Sequence, residues 1–226
     1  MEFDIRYSPS YSIAFVNMQP GEQIRAEAGA MVSQSPTIQM ETAAQGGIMA
    51  GLKRAALGGE SFFINTFTAT QPGDQMGLAP PLPGDIAHWP LSGQTVFLQS
   101  GSYLASSLGI EYDSQWGGAK TFFSSEGLFM LRVWGTGDLL VSSYGAIHSI
   151  DLAAGQSYTV DTGHMVGWSE GVQYQVTKAG GGWKQTLLGG EGLVCTLTGP
   201  GRIYLQTRSP QDFISWLVPQ LPRPSN

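Results

Sequence analysis

The chain has 226 residues, with 17 Asp and Glu against 11 Lys and Arg, 31 glycines and only 12 % charged residues. A formal charge of −6 disfavours a function dominated by phosphate contacts, which needs a clustered positive surface. No stretch approaches the ~18 continuous apolar residues of a membrane-spanning helix, and one cysteine cannot form an internal disulfide.

From the N-terminus, "MEFDIRYSPS" carries acids where a secretory leader has a basic start and an apolar run. With the single cysteine, this makes a reducing cytoplasm the expected compartment. "YSIAFVNM" (11 to 18) alternates as a strand, with Tyr11, Ile13 and Phe15 on one face. "GGIMAGLKRAALGG" (46 to 59) has glycine pairs at both ends and a core, 48 to 57, able to hold a short helix. Its Ile48, Met49, Leu52, Lys53 and Arg54 are candidate contacts to an unknown protein partner or, more weakly, a membrane surface. The competing reading is a short cap over an open end of the fold. "VQYQVTK" alternates Val172, Tyr174 and Val176, and "GLVCTLTG" alternates Leu193, Cys195 and Leu197 against Val194, Thr196 and Thr198. "PQDFISWLVPQL" (210 to 221) reads as a helix that Pro219 ends.

Three blocks recur in the same order. Gly21, Gly93 and Gly155 each lead, eight positions on, to Gly29, Gly101 and Gly163, and then to Met31-Val32, Tyr103-Leu104 and Met165-Val166. Further along, "GGESFFINTF", "SSEGLFMLRV" and "GGEGLVCTLT" align Glu60, Glu126 and Glu191. "QPGD", "GTGD" and "GPGR" close the series, and hairpin turns account for the glycine pairs of the last two. Length varies between the blocks and not within them, as expected if blocks are strands and spacers are loops, because a slipped strand would turn its buried side chains outward. The pattern predicts an internal triplication: three tandem β-sandwich or short double-stranded β-helix repeats about a pseudo-threefold axis, in an all-β fold. The expected divisions are 1–84, 85–145 and 146–209, with a C-terminal helix and tail at 210–226, in one compact body.

"GGESFFINTF", "PPLPGDIAHWPL", "SGSYLAS", "SSEGLFMLRVWGTGDLLVSSYGAIHSIDL", "VDTGHMVGW" and "GGEGLVCTLTGPGRIYLQTRS" together resemble the bacterial branch of the altered-inheritance-of-mitochondria (mitochondrial biogenesis) family, from about residue 12 to residue 209. The resemblance implies a fold like that of the tryptophan RNA-binding attenuation protein, present as tandem repeats in one chain. It implies no particular activity.

Chemistry-bearing residues are few. His88, His148 and His164 form no His-x-His or Glu-x-x-His pair of the kind a cupin-type metal site needs, and no cofactor is implied. No Gly-x-Ser-x-Gly elbow occurs, and Cys195 reads as a small buried hydrophobe. Glu60, Glu126 and Glu191 would either gather about the axis as a ligand or ion site or each accept backbone N–H bonds at a turn. Arg202 and Arg208 are candidate anion contacts, with pairing to nearby acids as the expected fate. These observations favour a non-enzymatic scaffold or binding protein that forms a homo-oligomeric trimer or ring. The alternatives are a small-ligand or cupin-like protein with a pocket in one repeat, and then RNA binding, which the scattered basic residues favour least.

Overall fold

The computed structural model describes residues 1–43, 64–113, 129–178 and 193–222. The described chain is mostly β, with eighteen strands and one α-helix. Before residue 44 lie β1 (Glu2–Arg6), β2 (Ile13–Met18), β3 (Gln23–Glu27), β4 (Met31–Gln34) and β5 (Gln39–Ala43). Between 64 and 113 come β6 (Ile64–Thr68), β7 (Asp74–Leu78), β8 (Ile86–Ser92), β9 (Val96–Gln99), β10 (Tyr103–Ser107) and β11 (Ile110–Asp113). Next are β12 (Met130–Ser142), β13 (Ile147–Leu152), β14 (Ser157–Asp161), β15 (Met165–Ser169) and β16 (Gln173–Lys178). The chain ends with β17 (Leu193–Thr198), β18 (Gly201–Gln206) and α1 (Pro210–Leu217). No helix of the described residues is long and apolar enough to cross a membrane.

The strands form three antiparallel sheets. One has the order β1-β2-β7-β4, one is β14-β17-β16, and the largest runs β13-β18-β15-β9-β12-β10-β3-β6-β5, with β8 and β11 also on β12. Two contacts inside the large sheet join strands far apart in sequence. Ala105, Ser106 and Ser107 of β10 pair with Ala26, Arg25 and Ile24 of β3. Gly167, Trp168 and Ser169 of β15 pair with Leu98, Phe97 and Val96 of β9. A β-bulge interrupts β4 between Met31 and Ser33, β10 between Tyr103 and Ala105, and β15 between Met165 and Gly167.

Strand alternation divides the chain into three apolar clusters. Ala14, Val16 and Met18 of β2 are buried with Ile24, Phe67, Met76, Leu78, Leu104 and Leu140. The Tyr11, Ile13 and Phe15 face is thus the outer one: Tyr11 is exposed, and Phe15 is half-buried under the Arg6 guanidinium, 5.0 Å from its ring centre. Val96, Leu98, Tyr103, Leu131, Val133 and Leu139 anchor the second cluster. Trp168, Val172, Cys195, Leu197 and Ile203 anchor the third, with Tyr174 and Val176 packed against it as their alternation requires.

Gly21, Gly93 and Gly155 have φ of +85°, +98° and +76° in the turns after β2, β8 and β13, conformations costly for any residue with a Cβ. "GTGD" departs from the expected hairpin. It lies inside the continuous β12, whose first half pairs with β9 and β11 and whose second half pairs with β8 and β10. A Cβ on Gly135 would sit 2.2 Å from the Gly109 carbonyl oxygen, so the glycine serves close backbone approach and not a turn.

Candidate functional site

Among the described residues, one cleft gathers polar and aromatic groups beside the C-terminal helix. Ser209 caps α1 by accepting from the Asp212 N–H at 3.2 Å, and Pro210 stands in the first turn, where its missing N–H costs nothing. The helix ends before Pro219, as its sequence predicts, and a short 3-10 turn (Val218–Gln220) follows. It buries no residue fully: Ile214 and Trp216 on the helix, and Val218 and Leu221 after it, are exposed.

Gln206, at the end of β18, holds two residues of the cleft lining, Tyr144 and His164. Its side-chain amide donates to Gly163 O at 2.9 Å and its carbonyl oxygen accepts from Tyr144 N at 2.9 Å. Its backbone carbonyl accepts from His164 Nδ1 at 2.8 Å. A carbonyl can only accept, so Nδ1 carries the proton, and a neutral His164 keeps Nε2 as an acceptor. That Nε2 lies 3.9 Å from Asp212 Oδ2. Tyr144 meets Phe213 edge-on at 6.0 Å between ring centres, and Phe213 stacks with Trp216 at 6.2 Å. With Thr207 and Arg208 these groups line about 400 Å³ of open cleft. Arg208 Nη1 donates to the Thr207 carbonyl at 2.9 Å, and no described acid pairs with it. The cleft thus offers an aromatic wall, one cation (Arg208), one carboxylate (Asp212) and one imidazole, a set suited to a small ligand with an apolar face and a polar edge.

Several other titratable groups are committed to the fold. His88 Nε2 lies 2.7 Å from Asp138 Oδ1 across β8 and β12. Arg202 pairs with Asp151 through Nε–Oδ1 at 2.6 Å and Nη2–Oδ2 at 2.9 Å, which holds the Asp151 carboxyl below its usual range. The acid pairing expected for the arginines is therefore met by Arg202 and not, among the described residues, by Arg208. His148 is exposed on β13. Cys195 is fully buried, and burial pushes its thiol up to about 12, the setting of a packing residue and not of a nucleophile. No group of three or more His, Cys, Asp or Glu able to hold a metal occurs among the described residues. Ile48, Met49, Leu52, Lys53, Arg54, Glu60, Glu126 and Glu191 all lie outside the described residues.

Of the cleft, the sequence singled out His164, Arg208 and the helix. It missed Tyr144 and Gln206, whose roles depend on a contact spanning some sixty residues.

An uncharacterised protein of Streptococcus pyogenes serotype M6 is 30% identical over 235 aligned positions, spanning 100% of this chain and 93% of that protein. The X-ray structure of a Streptococcus pyogenes protein superposes with a TM-score of 0.79 at 29% identity, covering 97% of this chain and 99% of that one. The sequence pattern of the family described as "Mitochondrial biogenesis AIM24" matches residues 3–208, so this chain belongs to that family.

Proposed function

We propose that this protein is a non-enzymatic, homo-oligomeric scaffold or binding protein built from three tandem β repeats (1–84, 85–145 and 146–209) that step around a common axis. Each repeat would be a short double-stranded β-helix of the kind found in the tryptophan RNA-binding attenuation protein. What supports the repeat is one pairing scheme that recurs. In the first, β7 lies between β2 and β4, and β6 between β3 and β5. In the second, the two halves of β12 take those places, between β8 and β10 and between β9 and β11. In the third they fall to β18, between β13 and β15, and to β17, between β14 and β16.

The observation that carries the scaffold reading is how successive repeats join. β10 pairs with β3 and β15 pairs with β9, so each repeat recruits the next through a sheet edge, while His88, Asp138, Asp151 and Arg202 hold strands together. A unit that extends by edge pairing is suited to assembly. Native mass spectrometry of the full chain tests the reading. It predicts an integer multiple of the 24.1 kDa chain with no retained small molecule. A single-chain mass overturns the oligomeric reading.

The cleft beside α1 favours a second reading, a small-ligand protein, because polar and aromatic groups from the residues after β18, from α1 and from the segments at Tyr144 and His164 converge there. Extra mass that survives mild activation, leaves on denaturation and is lost in Arg208→Ala and Trp216→Ala would establish it in place of the scaffold.

A further inference from the structure

We propose that β4 of one copy of this chain pairs antiparallel with β14 of the next copy, joining the copies head to tail. The inference deepens the oligomeric reading above and rests on its repeat register. At both joints within the chain, the strand containing the bulge in the later repeat pairs with the strand after the first turn glycine in the earlier one: β10 on β3, and β15 on β9. The equivalent strands left over are β4, with its bulge after Met31, and β14, after Gly155. Among the described strands β4 pairs only with β7 and β14 only with β17. The chain therefore holds both halves of a joint it makes twice and leaves the third unmade.

Burial marks the same two strands. The apolar pairs Tyr103-Leu104 and Met165-Val166 are fully buried, yet their counterparts Met31 and Val32 are 41 % and 58 % exposed. On the opposing side Ile24 and Val96 are buried, while their counterpart Tyr158 is 44 % exposed. An exposed edge is a template for pairing, which proteins block with charge or proline. The outermost strand β1 carries Glu2, Asp4 and Arg6. β4 reads MVSQ, with no charge or Pro, and β14 reads SYTVD, whose one charge, Asp161, stands at the strand's end and accepts from the Gly163 N–H at 2.8 Å. The occupant that fits both edges is a second copy, because each edge matches the partner its equivalent already has. Carrying the register of the two existing joints forward places Ser33 opposite Val160, Gln34 opposite Thr159 and Ser35 opposite Tyr158. Since the two surfaces differ, the contact is heterologous.

Native mass spectrometry and light scattering on full-length wild type, Val32→Lys and Tyr158→Lys test this, with circular dichroism to confirm folding. The wild type should be multimeric, and each variant should fall to the 24.1 kDa single chain. Mixing the two variants in equal amounts should give a species of two chains and nothing larger, because only one intact β4 and one intact β14 can meet. Amide exchange in the wild-type oligomer gives a readout that needs no variant: residues 31–35 and 157–161 should be protected as well as 24–26. Variants that keep the wild-type mass, or fast exchange at both edges, overturn this joint and leave the oligomeric reading standing. A wild type of one chain overturns both.

Discussion

Trp168 and Phe97 are direct partners across the β15–β9 ladder, and their rings stack with centres 5.7 Å apart. Trp168 also meets Tyr174 at 5.0 Å and is 1 % exposed, so one indole ties the third apolar cluster to the neighbouring strand. Trp168→Ala should destabilise the protein by about 3–5 kcal/mol through lost burial and a cavity that the sheet cannot collapse to fill. Urea unfolding of variant and wild type measures it.

Backbone approach at the same contact gives a second prediction. A Cβ on Gly167 would lie 2.2 Å from the Phe97 carbonyl oxygen, and no rotamer relieves a clash with backbone. Gly155 has open space around it but a φ of +76°, so alanine there costs only the left-handed backbone, about 1–2 kcal/mol. Gly167→Ala should therefore lower the unfolding midpoint more than Gly155→Ala.

Alkaline pH should weaken the fold. Burial raises the Cys195 thiol to about 12 and raises the Tyr103 phenol, which is hydrogen-bonded to Ser106 at 2.7 Å. Both stay neutral in the folded chain while the unfolded chain ionises, so the native state binds more protons and stability falls as pH rises. The loss should begin near the ordinary thiol range of about 8.5 and approach about 1.4 kcal/mol per pH unit for each proton involved. Denaturant titrations from pH 7 to 11 check this, and Cys195→Ala should remove the share due to the thiol. The native thiol should also resist aromatic disulfide reagents until the protein unfolds.

At the acid end the sensitive group is Asp74, buried at the start of β7. Its carboxylate accepts from Thr37 Oγ1, from Thr70 N at 2.8 Å and from Gln71 N at 3.0 Å, with Thr37 contributing most to holding its pKa below the usual range. A carboxyl depressed in the folded state adds stability above its unfolded pKa and loses it as pH falls through the folded one. Thermal melts between pH 7 and 3 should show a smaller acid-induced drop in Asp74→Asn than in wild type, and a lower starting stability.

The candidate cleft was only partly legible in the sequence. His164, Arg208 and the helix after Ser209 stand out by residue type and local period, and the helix ends where Pro219 requires. Their convergence depends on Gln206 holding both Tyr144 and Gly163, which no local pattern encodes. Likewise, residue type alone treats Arg202 and Arg208 alike; it is Asp151, opposite Arg202 on β13, that neutralises one and leaves the other beside the cleft.

By itself the sequence determined the β class, the alternation of Cys195 and Leu197 against Val194 and Thr196, and the recurrence of Gly21, Gly93 and Gly155, at positions where the structure has left-handed turns. Side-chain period and turn chirality are settled by each residue and its near neighbours, so they can be read locally. Only the tertiary structure decided that Gly135 and Gly137 lie within one long strand, that β2 buries Ala14 and not Phe15, and that β3 and β9 find partners in β10 and β15. Edge pairing is a competition among distant strands with similar backbones, and it is resolved by which side chains can be buried together.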